Sequence, residues 1–240
     1  MKLIAFFLAS LLLSSFAQAT DLRTGIPASF VAQFELYKSG LPVANTTYQL
    51  SGKDNHYSFQ ATTRLKGLLS LFSDKQIIET SVFQLSSSEY YPLSYQFQQT
   101  GDKAKSIKST INSEDKTIST IINNQPPINI NFKQPPWDKL SILLALMTSA
   151  NGHDDKLAFE VLDRGKIKNY DFIYAGIEEI ELEEDEWKKT VLWKRQDNNK
   201  KTLFFLDPGR RYIPIKIEQF KNQELTATLW LKELIWNEDD

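Results

Sequence analysis

The sequence predicts a mainly β protein: a single curved antiparallel sheet, a half-barrel, holding one central apolar helix. Three observations lead there. Apolar and polar residues alternate through most of the chain with the period of two that sends successive side chains to opposite faces of a strand. These runs recur about every ten residues between Gly, Ser, Asn, Asp and Glu, leaving no room for the crossover helices that parallel strands require. One stretch alone, Trp137 to Ser149, is helical in character, and its middle, Leu140 to Met147, has Ser141 as its single polar residue. A helix apolar nearly all round must be covered on more than one side.

Phe30 to Tyr37 places Phe30, Ala32, Phe34 and Leu36 on one face, and Ser39-Gly40 supplies the turn. Val43 to Leu50 and His56 to Leu65 form a hairpin across Gly52, Lys53, Asp54 and Asn55. Further strands are predicted at Gln76 to Leu85, Tyr90 to Gln98, Ala104 to Asn112 and Lys116 to Ile122. Pro135-Pro136 introduces the helix, Asp138 stands as its N-cap with its carboxylate at the positive end of the dipole, and Asn151-Gly152 stops it. A second block follows at Leu157 to Leu162, Ile167 to Tyr174, Ile177 to Leu182, Trp187 to Arg195, Lys201 to Leu206, Tyr212 to Phe220 and Leu225 to Trp236. Pro214 implies an edge position or a bulge, because proline cannot donate to a ladder. No linker divides residues 30–236, which are expected to form one domain, followed by an acidic tail at 237–240.

Composition narrows the function. The chain has 41% apolar, 12% aromatic and 24% charged residues, with a net charge of −2. These are the proportions of a water-soluble globular protein, and the absence of a basic excess argues against general nucleic-acid binding. With no cysteine, thiolate metal sites, cysteine nucleophiles and disulfides are excluded. Lys2, the apolar run Leu3 to Phe16 and the small-x-small Ala17-Gln18-Ala19 predict a signal peptide over residues 1–19, cleaved after Ala19, with a polar lead at 20–29 and a periplasmic destination. The run of about fourteen residues spans roughly 21 Å as a helix, too short for a permanent membrane span.

Several motifs occur in order: Glu79-Thr80-Ser81-Val82-Phe83, Tyr91-Pro92-Leu93-Ser94-Tyr95, Asp138-Lys139-Leu140-Ser141, Asp163-Arg164-Gly165-Lys166, Gly176-Ile177-Glu178 and Tyr212-Ile213-Pro214-Ile215-Lys216-Ile217-Glu218. Together they resemble the family numbered 3108 among the domains of unknown function, over roughly Phe30 to Leu234. The resemblance implies a periplasmic, mainly antiparallel β protein similar to the half-barrels of LolA-like and LolB-like lipoprotein carriers. It implies no activity and lends no catalytic residue. Glu183-Glu184-Asp185-Glu186 departs from the Gly-containing turn expected there.

Signatures of catalysis are missing from the sequence. His56 and His153 are the two histidines, and no spacing places two imidazoles on one helical face for zinc. There is no Gly-x-Ser-x-Gly elbow, phosphate loop or dinucleotide fingerprint. His153 with Asp154 and Asp155 reads as a solvated loop. Glu178 to Glu186 reads as the acidic arm of a hairpin facing Lys188, Lys189, Lys194 and Arg195, without the spacing of a calcium loop. Trp187 and Trp193 share a strand face, as a core pair or a sugar platform.

Two apolar features remain. Gly67-Leu68-Leu69-Ser70-Leu71-Phe72 lies between strands where polar turns are expected, and Leu140 to Met147 is the apolar helix. Either the helix plugs the concave side and the loop caps one end as ordinary core, or both line a hydrophobic groove. On the second reading the ligand-binding residues are Leu68, Leu69, Leu71, Phe72, Trp137, Leu140, Leu143, Leu144 and Met147, and the occupant is a lipid or lipidated envelope protein. No cofactor, metal, nucleic acid or catalytic residue is expected, and the protein is expected to be a monomer. The alternative is a cell-envelope protein–protein interaction module without a small ligand, using a strand edge or the charged hairpin.

Overall fold

A computed structural model of the chain describes residues 29–86, 89–101, 103–150, 154–183 and 186–237. The expected signal peptide, nearly all of the polar lead, the Asn151-Gly152 stop, His153, Glu184-Asp185 and residues 238–240 lie outside the described residues.

Alternation and closely spaced turns generate two meanders. The first contains β1 (Phe30–Lys38), β2 (Leu41–Lys53), β3 (His56–Leu65), β4 (Gln76–Ser86), β5 (Glu89–Gln99), β6 (Lys105–Asn112), β7 (Thr117–Ile122) and β8 (Ile128–Asn131), with a single turn of helix, α1 (Leu69–Phe72), between β3 and β4. The second begins with β9 (Trp137–Asp138) and α2 (Ile142–Ser149), then continues through β10 (Lys156–Asp163), β11 (Lys166–Glu183), β12 (Glu186–Asp197), β13 (Lys200–Asp207), β14 (Ile213–Lys221) and β15 (Glu224–Trp236). Antiparallel pairing of β1 with β15 fuses them into a 15-stranded sheet, ordered from β8 down to β1 and then from β15 down to β9. Only the β9–β10 pair is parallel.

The sheet rolls until its two edges overlap. Trp137 on edge strand β9 stacks on Tyr90 of β5 with ring centroids 3.9 Å apart, although ten strands separate them in the order. Beside them, Leu162 of β10 and Ile167 of β11 pack on Ile111 of β6, Ile118 of β7 and Ile130 of β8. The roll is therefore closed by side chains, with no ladder joining β8 to β9. Bulges at Gln33/Phe34, Leu36/Tyr37, Val82/Phe83 and Gln219/Phe220 help to bend it, since each kinks its strand and increases the local twist.

Helix α2 lies inside the roll. Leu144, Ala145 and Leu146 are fully buried, and Met147 nearly so, within a core that also contains Phe30, Phe34, Phe59 and Phe83. Burial contributes roughly 1.5–3 kcal/mol for each large side chain.

Three expectations are corrected. The helix does not begin at Trp137: Trp137 and Asp138 pair with Val161 and Leu162 as a short strand, and α2 proper covers Ile142–Ser149. Pro135-Pro136 carries extended chain into that strand, and the Asp138 side chain then turns it. Next, Ile167 to Tyr174 and Ile177 to Leu182 belong to one strand, β11, because Gly176 absorbs a bulge at φ +107° instead of ending the run. Finally, β8 and β9 escape the alternation pattern, being only four and two residues long. Pro214 does fall at a bulge, opposite Leu206 in the middle of the sheet.

Candidate functional site

The turn before α2 is built by reciprocal capping. Asp138 Oδ1 accepts the backbone N–H groups of Leu140 and Ser141, both at 2.8 Å, while Ser141 Oγ accepts that of Asp138 at 3.0 Å. Two otherwise orphaned donors thereby find an acceptor inside the roll. Asp138 Oδ2 accepts from Ser81 Oγ at 2.5 Å, and Tyr90 Oη lies 3.0 Å from Ser141 Oγ. Ser81, Asp138, Ser141 and Tyr90 are all buried, and the network ties β9 and the entry to α2 onto β4 and β5. Burial without a cation pushes the Asp138 carboxyl up to about 6 against the hydrogen bonds that favour its charged form, and burial likewise drives the Tyr90 phenol well above its ordinary range.

On another side α2 and its entry border a cavity shared with the sheet. Leu140, Ile142, Leu143 and Leu146 face a cavity of about 210 Å³ whose opposite wall is formed by Phe172, Phe204, Ile217 and Leu229. Those four belong to β11, β13, β14 and β15, and Tyr48 of β2 also lines the cavity, which is partly open to solvent. The remaining lining is polar: Tyr170, Thr202, Gln219, Lys139 and Arg195. The Arg195 guanidinium lies 3.5 Å above the Tyr170 ring, with Nη2 3.3 Å from Asp197. Arg195 therefore belongs to the cavity wall and not to a basic arm facing the acidic one. Chemically this is an apolar slot with two cations at its polar part.

Of the residues expected to bind ligand, Leu140 and Leu143 line the cavity. Trp137, Leu144 and Met147 are buried in the surrounding core. Leu68, Leu69 and Leu71 are elsewhere, exposed on the β3–β4 connection, and the Phe72 side chain lies outside the described residues. The sheet-side wall was not anticipated. Alternation groups Tyr170 with Phe172, and Trp193 with Arg195, but only the roll decides which group meets α2.

The hairpin of β11 and β12 extends beyond its neighbours, since β10 pairs no further than Ile173 and β13 no further than Val191. Lys189 Nζ reaches Glu179 across it at 3.5 Å, while Lys188 turns instead to buried Asp207 at 3.0 Å. Trp187 is 61% exposed on this ribbon and Trp193 is buried at its base, so their shared parity makes neither a core pair nor a platform. Among the described residues no three His, Asp or Glu side chains gather as metal ligands, and no helix is long and apolar enough to cross a membrane.

Comparison with known proteins agrees with this architecture. A crystal structure of a β-barrel-like protein of the domain-of-unknown-function family DUF1849 from Brucella abortus superposes with a TM-score of 0.57 at 10% identity, covering 88% of this chain and 98% of the other. At that identity the likeness concerns the fold. No curated protein matches the sequence. The model of the family described as protein of unknown function DUF3108 matches residues 33–229, nearly the whole rolled sheet, and the chain belongs to that family.

Proposed function

We propose that this is a non-enzymatic cell-envelope protein, exported to the periplasm, that holds an apolar ligand in the cavity between α2 and the sheet. The observation that supports it is the cavity itself, lined by apolar residues of α2 and its entry and by apolar residues of β11, β13, β14 and β15. Its 210 Å³ is below the roughly 300–1,000 Å³ of a drug-sized pocket, which suits one narrow acyl chain better than a whole lipid. Lys139 and Arg195 suit an anionic head on that chain. The Asp138–Ser81 pair resembles hydrolytic machinery only superficially, because neither residue lines the cavity and the carboxylate is occupied by capping.

Native mass spectrometry of protein purified from the periplasm, together with titration by a fluorescent fatty acid, tests the proposal. One lipid-sized adduct and saturable binding are expected, and both should disappear in Leu143→Trp, which fills the slot. A chain that carries no adduct and never saturates with the probe refutes it.

The projecting ribbon favours a second reading, a docking arm for another envelope protein, since Ile177 and Trp187 are 66% and 61% exposed on it. Crosslinking in intact cells that is lost when Glu183 to Glu186 are neutralised would select this reading.

A further inference from the structure

The leucines of the β3–β4 connection stand in water. Leu68 and Leu71 are each 76% exposed and Leu69 45%, and neighbouring connections add Leu41 at 67% and Leu225 at 52%. These connections adjoin one another because β3, β2, β1, β15 and β14 are consecutive in the sheet. Lys66 N donates to Val43 O at 3.1 Å, fastening the leucine loop to β2. An apolar cluster of this size on an otherwise polar rim marks an interaction site.

Charge sorts by end as well. In an antiparallel meander, alternate connections fall at opposite ends of the strands. Among the described residues, the seven hairpin connections at the α1 end, counted with their flanking strand residues, contain nine Lys and Arg against four Asp and Glu. The described residues of the five connections at the other end contain four against seven. A chain with a net charge of −2 is thus strongly dipolar along its strands, with its exposed leucines at the positive end.

We propose that the α1 end docks on an anionic lipid surface. Leu68, Leu69 and Leu71 enter the boundary between headgroups and acyl chains, while Lys38, Lys75 and Lys103 lie against the phosphates and the acidic hairpins point away. Apolar tips ringed by lysines are the composition of an interfacial membrane contact. A protein partner fits less well, since protein interfaces are enriched in aromatic residues and Arg and depleted in Lys. The proposal is independent of the cavity and adds a surface from which the protein can work.

Sedimentation with vesicles of phosphatidylglycerol and phosphatidylcholine in equal parts, compared with pure phosphatidylcholine, tests it on the full mature chain. Binding is expected only to the anionic vesicles and should weaken with added salt. The Leu68→Ser, Leu69→Ser, Leu71→Ser triple variant is expected to lose binding about tenfold or more, by loss of its buried apolar area, with an unchanged melting temperature. Lys75→Glu with Lys103→Glu should weaken it further, and Leu143→Trp should bind vesicles as wild type, which separates this surface from the cavity. The proposal is overturned if the wild type stays in the supernatant, if the triple variant sediments equally, or if binding ignores lipid charge and salt.

Discussion

Replacing Asp138 by Asn should stabilise the protein at pH 8 and leave it nearly unchanged at pH 4. The folded chain holds the Asp138 carboxyl at about 6, against 3.8 for the unperturbed group, because the buried carboxylate faces no cation. The folded state therefore binds the proton more tightly than the unfolded one. Its contribution is fully present below pH 3.8 and is lost as pH rises through 6. A shift of two units corresponds to about 3 kcal/mol. The neutral acid can accept from Leu140 and Ser141 at one oxygen and donate to Ser81 from the other, and asparagine reproduces that pattern with its carbonyl and amide. The Ser81 O–H is then free to donate a hydrogen bond to Tyr90 Oη beside it. Urea titrations of both proteins at pH 4 and pH 8 provide the assay, and the difference between them cancels every other titrating group. Asp138→Ala should be destabilised at both values, because two buried backbone donors lose their acceptor, at roughly 1–3 kcal/mol each. If Asp138→Asn is destabilised equally at pH 4 and pH 8, the carboxyl is not raised in the folded state and the reasoning fails.

Leu144→Ala, at a fully buried position of α2, should cost about 2–5 kcal/mol in chemical denaturation, whereas Leu143→Ala should cost clearly less because its side chain already borders empty space. Gly176→Ala should cost roughly 1–3 kcal/mol from backbone strain alone: φ is +107° and a Cβ there meets nothing within 4 Å. Leu162→Asp places a charge between the overlapping edges, so light scattering should show concentration-dependent association through the uncovered strands.

The half-barrel was legible because local alternation and turn chemistry agree with the final fold over nearly every long strand. That Asp138 binds backbone donors two and three positions ahead was legible for the same reason, although it caps the turn of Leu140 and Ser141 and not α2 itself, whose N-cap is Ser141. What the sequence did not convey depends on contacts between distant strands. Trp137 reads as the start of a helix until β10 is alongside to pair with it, and nothing near Ser81 or Tyr90 marks them as partners of the helix entry. The cavity wall is hidden in the same way: Phe172 and Phe204 alternate like any core residues, and only the roll brings them to the same cavity as Leu143. The Leu68 to Leu71 loop shows the converse, where apolar composition suggested burial and the long β3–β4 connection left it outside.

Closure by side chains explains why a cavity exists at all. A barrel of fifteen hydrogen-bonded strands would enclose a lumen far too wide for side chains to fill. Overlapping β6 to β8 with β10 and β11 shortens the circumference and covers both free edges, which would otherwise recruit further strands. The interior that remains is still wider than its side chains, and α2 occupies most of it. The helix is drawn to one side because its entry is anchored there, through Asp138 to Ser81 and through Ser141 to Tyr90. Space is consequently left on the opposite side, toward β11, β13 and β14. The polar network that fixes the seam thus also fixes where α2 enters the interior, and with it the side on which Leu143 and Leu146 meet the cavity.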